Sequence, residues 1–96
     1  MKPSQALQSH RDAIRRVVLS HRAINPRVFG SVLTGLDTEN SDLDILIDPT
    51  ASTTLMDIAA IQVELEYLLH ISVDVLTPNT LPDKFRNIVL AQAVKV

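Results

Sequence analysis

Asp42-Leu43-Asp44 sets two carboxylates on alternate residues, and Val73-Asp74-Val75 supplies a third. On a strand the side-chain period is two, so Asp42 and Asp44 share a face. Two like charges that close repel unless a cation lies between them. Hard oxygen donors at this spacing suit Mg²⁺, which binds one or two carboxylates and keeps water and substrate phosphates in its shell. A third carboxylate on the neighbouring strand would complete a site for two metal ions, or accept the proton of an attacking hydroxyl. The chain has only two glycines, Gly30 and Gly35, and both lie in Gly30-Ser31-Val32-Leu33-Thr34-Gly35. A Gly-Ser at a strand end lets backbone N–H groups approach an anion with no Cβ in the way, and the hydroxyl is a further donor. Each feature also has a plainer reading. The glycines can make a tight turn with Ser31 capping a short helix, Asp42 and Asp44 can line a solvated strand face, and Asp74 can be an edge charge that blocks aggregation.

These residues need strands and helices to hold them. From Gln5 to about Ala23, Leu7, Ile14, Val17, Val18 and His21 recur at helical spacing among Arg11, Arg15, Arg16 and Arg22, which predicts one amphipathic helix ended by Asn25-Pro26. Arg27 to Ser31 reads as a short strand and Ser41 to Asp48 as a second, with Leu43, Ile45 and Ile47 on one face and Asp42, Asp44, Leu46 and Asp48 on the other. Thr54-Leu55-Met56-Asp57 matches a capping box that opens a helix to about His70, with Leu55, Ile58, Ala59, Gln62, Leu65, Leu68 and Leu69 on its inner face. Ile71 to Leu76 is a third strand. Thr80-Leu81-Pro82-Asp83 starts a last helix, whose inward face carries Phe85, Ile88, Val89 and Gln92. The order is α-β-β-α-β-α, an α/β (α+β) chain whose small mixed sheet of at least three strands is covered by helices. Strands two and three are joined by a helix and should be parallel.

Ninety-six residues suffice for one domain, 1–96. The absence of cysteine excludes disulfides, zinc–thiolate sites and thiol nucleophiles. The net charge of −2 is unevenly spread: residues 28–83 hold ten of the eleven acids and no Lys or Arg. That stretch offers no nucleic-acid groove, so no direct nucleic-acid partner is expected. No apolar run can span a bilayer and the start lacks a signal peptide's apolar stretch, so no membrane partner and a cytoplasmic location are expected.

Together, Gly30-Ser31, Ser41-Asp42-Leu43-Asp44-Ile45-Leu46-Ile47 and Val73-Asp74-Val75-Leu76-Thr77-Pro78 resemble the minimal nucleotidyltransferases of the DNA polymerase β superfamily. The resemblance runs from about Phe29 to the C-terminus, with the first helix fitting in position. It implies the polymerase β-like fold, with Asp42 and Asp44 holding Mg²⁺, two ions in all, against a nucleoside triphosphate such as ATP. Asp74 would be the third catalytic and metal-binding carboxylate, and Gly30 and Ser31 would contact the β- and γ-phosphates. The product would be a nucleotidyl group on a hydroxyl, with pyrophosphate released. Phosphoryl transfer needs mainly positioning and charge neutralisation, which agrees with such a site. One departure is Val32-Leu33-Thr34, where many members carry arginine. A cation for the triphosphate must then come from Arg27, Lys84 or Arg86.

Members of this group are similar to antitoxins that pair with helical HEPN-type ribonuclease toxins and place AMP on a toxin tyrosine. The resemblance therefore implies a toxin partner, and the sequence leaves a homo- or a hetero-oligomer open. Two alternatives stay open: a catalytically weak or inactive antitoxin that neutralises by contact, and nucleotidyl transfer to a small molecule with a helical partner subunit. Other residues read as structural. His10, His21 and His70 lack metal-ligand spacing, and Tyr67 reads as packing on an amphipathic helix. Asp37 and Glu39 are expected to stay solvated in their loop. Ser41 starts its strand without a base to activate it, and the basic helix face is solvated.

Overall fold

The computed structural model describes residues 1–96. Helices α1 (Pro3–Ser9) and α2 (Arg11–Ser20) lead into strand β1 (Ala23–Phe29) and the one-turn helix α3 (Ser31–Thr34). Strand β2 (Leu43–Pro49), helix α4 (Leu55–Leu69), strand β3 (Val73–Leu76), a 3₁₀ turn (Pro78–Thr80), helix α5 (Asp83–Gln92) and strand β4 (Val94–Lys95) follow. The sheet has the order β3-β2-β1-β4. As the connecting helix requires, β2 and β3 are parallel, while β1 is antiparallel to both β2 and β4.

The main core fills one face of this sheet. Leu43, Ile45 and Ile47 of β2, with Val28 and Val73 beside them, pack under Ile14, Val17 and Val18 of α2 and Ile61, Leu65 and Leu69 of α4. The alternation expected for β2 therefore holds on this face. Leu46 points the other way and is buried too, as is Leu81 after the 3₁₀ turn. No helix is long and apolar enough to cross a membrane.

The single N-terminal helix expected from periodicity is two helices, broken at His10, and its end comes at Ser20 rather than near Ala23. Arg22 then takes a positive φ and β1 begins early, running through Asn25-Pro26. The strand accommodates the proline by a bulge: Ile24 faces Asp48 and Arg27 faces Leu46, with Asn25 in the left-handed region.

Helix α4 starts at the expected capping box. Asp57 N–H donates to Thr54 Oγ1 at 3.1 Å and Thr54 N–H donates to Asp57 Oδ2 at 2.9 Å. Its buried face is turned from the expected one, however, to Asp57, Ile61, Leu65 and Leu69, leaving Leu55 82% exposed. A helix apolar nearly all round does not choose its inner face by periodicity. The Arg22–Asp57 pair at 2.9 Å ties one end of α4 to the α2–β1 corner.

The last helix starts at Asp83 because the Thr80 hydroxyl is used in the 3₁₀ turn, accepting from Thr77 N–H at 2.8 Å. Its expected inward face is not inward: Phe85 and Ile88 are each 55% exposed, and α5 buries no residue. Strand β4 was unforeseen, since two residues carry no strand signal and only their pairing with Arg27 and Val28 defines it.

Candidate active site

Sheet register brings the carboxylates together. Asp44 of β2 and Asp74 of β3 are direct partners across the parallel pair, on the face opposite the main core. Asp42 lies just before β2, two residues from Asp44 and on the same side. Asp44 is half-buried, while Asp42 and Asp74 are exposed. Burial, with the charges of Asp74 and Asp42 added, pushes the Asp44 carboxyl up to about 6. The Asp74 carboxyl is also raised, first by burial and then by Asp42, through its charge and a shared hydrogen bond, with Glu66 adding to it.

Glu66 had no place in the site expected from sequence. It reaches β3 from α4, where its Oε2 accepts from Val73 N–H at 3.1 Å. No local signal marks it, because only the chain reversal at His70, itself in the left-handed region, returns β3 to Glu66.

Gly30 has φ +80°, ψ −147° and ends the strand that lies beside Asp44. A Cβ there would stand 2.3 Å from Asp44 Oδ2, so the carboxylate occupies the space the missing side chain leaves. Gly30 and not Ser31 is the N-cap of α3, with Ser31 its first residue, so Ser31 does not cap the helix as the plainer reading had it, and Gly35 closes that helix with φ +72° and nothing within 4 Å of its Cβ position. Gly30 and Asp44 thus meet, with Ser31 next in the chain, whereas Gly35 serves only the backbone.

Asp37 departs from expectation. It is buried at 7% exposure and accepts from Ser4 N–H at 2.8 Å, joining its loop to the first turn of α1. That backbone bond, with the Ser4 hydroxyl in support, holds its carboxyl below the usual range. Two of the three cations considered for a triphosphate are engaged within the fold. Arg27 Nη2 donates to Asp48 Oδ1 at 2.6 Å, and Arg86 donates to the carbonyls of Pro78 and Leu81 and pairs with Asp83. Lys84 is exposed.

The donor set fits a hard divalent cation in its chemistry: burial first, and then the charges of Asp74 and Asp42, raise Asp44, and no protein cation offsets them. It does not make a closed cage: no group of three or more His, Cys, Asp or Glu side chains is arranged to hold a metal by itself. Ligands for such an ion would have to include substrate phosphate and water, which is Mg²⁺'s habit. The site is an open face. The two cavities, about 450 Å³ at the α1–α2 junction and about 310 Å³ between α2 and α4, contain none of these residues.

Residues 10–96 match the Nucleotidyltransferase domain family, a span that takes in α2 as well as the motifs. Two proteins of Methanocaldococcus jannaschii, each provisionally named a protein adenylyltransferase, are similar. One is 34% identical over 80 residues, covering 83% of this chain and 86% of its own, and the other is 28% identical, covering 84% and 80%. A solved structure described as a minimal nucleotidyltransferase superposes with TM-score 0.85 at 35% identity, covering 97% of this chain and 95% of the other. At 19% identity and TM-score 0.73, a chain of a toxin–antitoxin crystal structure with AMP-PNP shares the fold over 88% of this chain and 69% of its own. A chain of the toxin–antitoxin complex MntA–HepT does so at 17% identity and TM-score 0.68, over 92% and 69%. With the family's span covering nearly the whole chain and a mixed sheet that sets Asp44 beside Asp74, this protein belongs to the Nucleotidyltransferase domain family.

Proposed function

We propose that this chain is a single-domain antitoxin that transfers AMP from ATP to a tyrosine hydroxyl of a HEPN-type ribonuclease toxin. The observation that carries the reading is the register pairing of Asp44 with Asp74, with Asp42 two residues away and Gly30 leaving room for the Asp44 carboxylate. The adenylyltransferase names of the archaeal relatives and the toxin–antitoxin complexes among the structural neighbours support the acceptor and the partner.

In this reading Asp42, Asp44 and Asp74 would hold Mg²⁺, two ions in all, and Gly30 and Ser31 would meet the β- and γ-phosphates. The metal supplies charge neutralisation for the triphosphate and the leaving pyrophosphate. The tyrosine oxygen attacks the α-phosphorus, the bond to the bridging oxygen breaks, and pyrophosphate departs. The hydroxyl proton would pass to Asp74, the carboxylate that the β2–β3 register sets beside Asp44. An open carboxylate face suits an acceptor brought by a folded partner rather than a small molecule held in a pocket.

Purified chain with ATP, Mg²⁺ and the toxin should add the mass of one AMP to a toxin tyrosine, and Asp42→Ala or Asp44→Ala should abolish the addition. Absence of an adduct with every nucleotide refutes the proposal. One observation favours a second reading, an antitoxin that works by contact: Arg27 and Arg86 are engaged in intramolecular bonds rather than free for a triphosphate. Under it the Asp42→Ala/Asp44→Ala chain still neutralises the toxin at stoichiometric ratio. Loss of neutralisation with binding intact rejects it.

A further inference from the structure

One feature that neither the core nor the carboxylate site uses is the outer face of α4. Leu55, Met56, Val63 and Tyr67 are 82, 80, 66 and 77% exposed, on a helix whose opposite side is already buried. Met56, Ala60, Val63 and Tyr67 follow one another at intervals of four, three and four, which is the spacing of a helix–helix seam. Single exposed apolar side chains are ordinary, but a contiguous stripe of this kind marks an interface.

We propose that this face seats a second copy of the chain, with the two α4 helices packed antiparallel about a two-fold axis. The sequence of the stripe is self-complementary in that arrangement. Ala60 and Val63 are equidistant from the point midway between Ile61 and Gln62, and so are Met56 and Tyr67. A two-fold through that point sets the small pair, Ala60 against Val63 of the other copy, at the centre where the backbones approach. It sets Met56 against the ring of Tyr67 at both ends, a thioether–aromatic contact. An isologous interface requires this reciprocity, each residue meeting its partner's counterpart twice.

The rim fits as well. On the side of α4 that faces α2, Asp57 is paired with Arg22 and Glu64 with His21, at 2.9 and 2.7 Å. The two-fold brings Glu64 of one copy beside the Arg22–Asp57 pair of the other, so a guanidinium lies between carboxylates. The face lies on the layer opposite the carboxylates, so the pairing leaves both sites open, and it does not depend on the proposed transfer reaction.

Sedimentation equilibrium of the full chain should give a dimer with a dissociation constant at or below about 10 µM. Val63→Glu sets two carboxylates near the axis and should weaken association by about a hundredfold or more, with the thermal unfolding of the monomer unchanged because Val63 is 66% exposed. The chain has no cysteine, so the double variant Met56→Cys/Tyr67→Cys reports the geometry directly. It should oxidise to a covalent dimer while Met56→Cys alone does not. A wild-type chain that stays monomeric overturns the proposal and leaves the stripe to a different protein. So do a Val63→Glu chain that dimerises as the wild type does, and a Met56→Cys single variant that crosslinks as readily as the double.

Discussion

Replacing Gly30 by alanine tests whether the glycine and Asp44 form one unit. The added Cβ would stand 2.3 Å from Asp44 Oδ2, and φ +80° with ψ −147° is a region that side chains avoid. The backbone conformation alone costs about 1–3 kcal/mol in a non-glycine residue. Displacing the carboxylate adds to that, since Asp44 is half-buried against Gly30 and cannot shift freely. Gly35→Ala is the internal control: its φ is +72°, but no atom lies within 4 Å of the new Cβ, so it should cost about 1–2 kcal/mol through the backbone only.

A double-variant cycle separates the two costs of Gly30→Ala. Asp44→Ala removes the obstructing carboxylate, so Gly30→Ala in that background should be milder by roughly 1 kcal/mol, a melting difference of about 4–8 °C in a chain of this size. Calorimetric unfolding of the four proteins gives the coupling. Binding of a non-hydrolysable ATP analogue with Mn²⁺, measured below the melting range, should fall in Gly30→Ala and be unchanged in Gly35→Ala. A coupling near zero, together with Gly30→Ala no worse than Gly35→Ala, would refute the idea that the glycine is required by the carboxylate.

Two further outcomes follow from the electrostatics and the caps. The Asp44 carboxyl is raised to about 6 from 3.8, so the folded chain binds more protons than the unfolded between those values, and this group's contribution to stability falls as pH rises from about 4 to about 6. Asp37 and Asp57 are lowered, by the backbone N–H groups of Ser4 and Thr54 respectively, so their contribution is present above 3.8 and lost as pH falls below it. Metal-free thermal unfolding should therefore show a maximum between about pH 4 and 5 that Asp44→Asn flattens on its alkaline side, and an unaltered profile in that variant contradicts the assignment. Mn²⁺–nucleotide binding should run the opposite way, weakening about tenfold per pH unit below about 6 as Asp44 takes up a proton. Thr54→Ala removes the hydroxyl that accepts from Asp57 N–H and should cost about 1 kcal/mol, or 4–8 °C in melting, with nucleotide binding unchanged. A loss of binding there would mean that α4 is coupled to the carboxylate face.

Local chemistry is what the chain alone made readable. The alternation in Leu43-Asp44-Ile45 fixed both the strand and the side its carboxylate takes, because a period of two admits no other arrangement while Leu43 and Ile45 are buried. The Thr54–Asp57 box marked the start of α4 for a similarly short-range reason. Helix faces were less legible. Leu55 and Leu68 were expected inside and are exposed, while Ile61 is buried, because an almost wholly apolar helix leaves its rotation to tertiary partners such as Arg22. The roles of Asp37 and Glu66 were hidden for the same cause: their partners, Ser4 and Val73, reach them only through chain reversals.

The site divides in the same way. The amino-acid sequence by itself singled out the candidates, since residue type, spacing and strand period, with the family resemblance, pick out Asp42, Asp44, Asp74 and Gly30-Ser31. Only the tertiary structure decided how they meet. The parallel register of β2 and β3 sets Asp44 against Asp74, and the β1–β2 pairing brings Gly30 within reach of Asp44 Oδ2. Register is a relation between strands, fixed by the packing of Leu43, Ile45 and Val73 under α2 and α4. No single segment of the chain contains it.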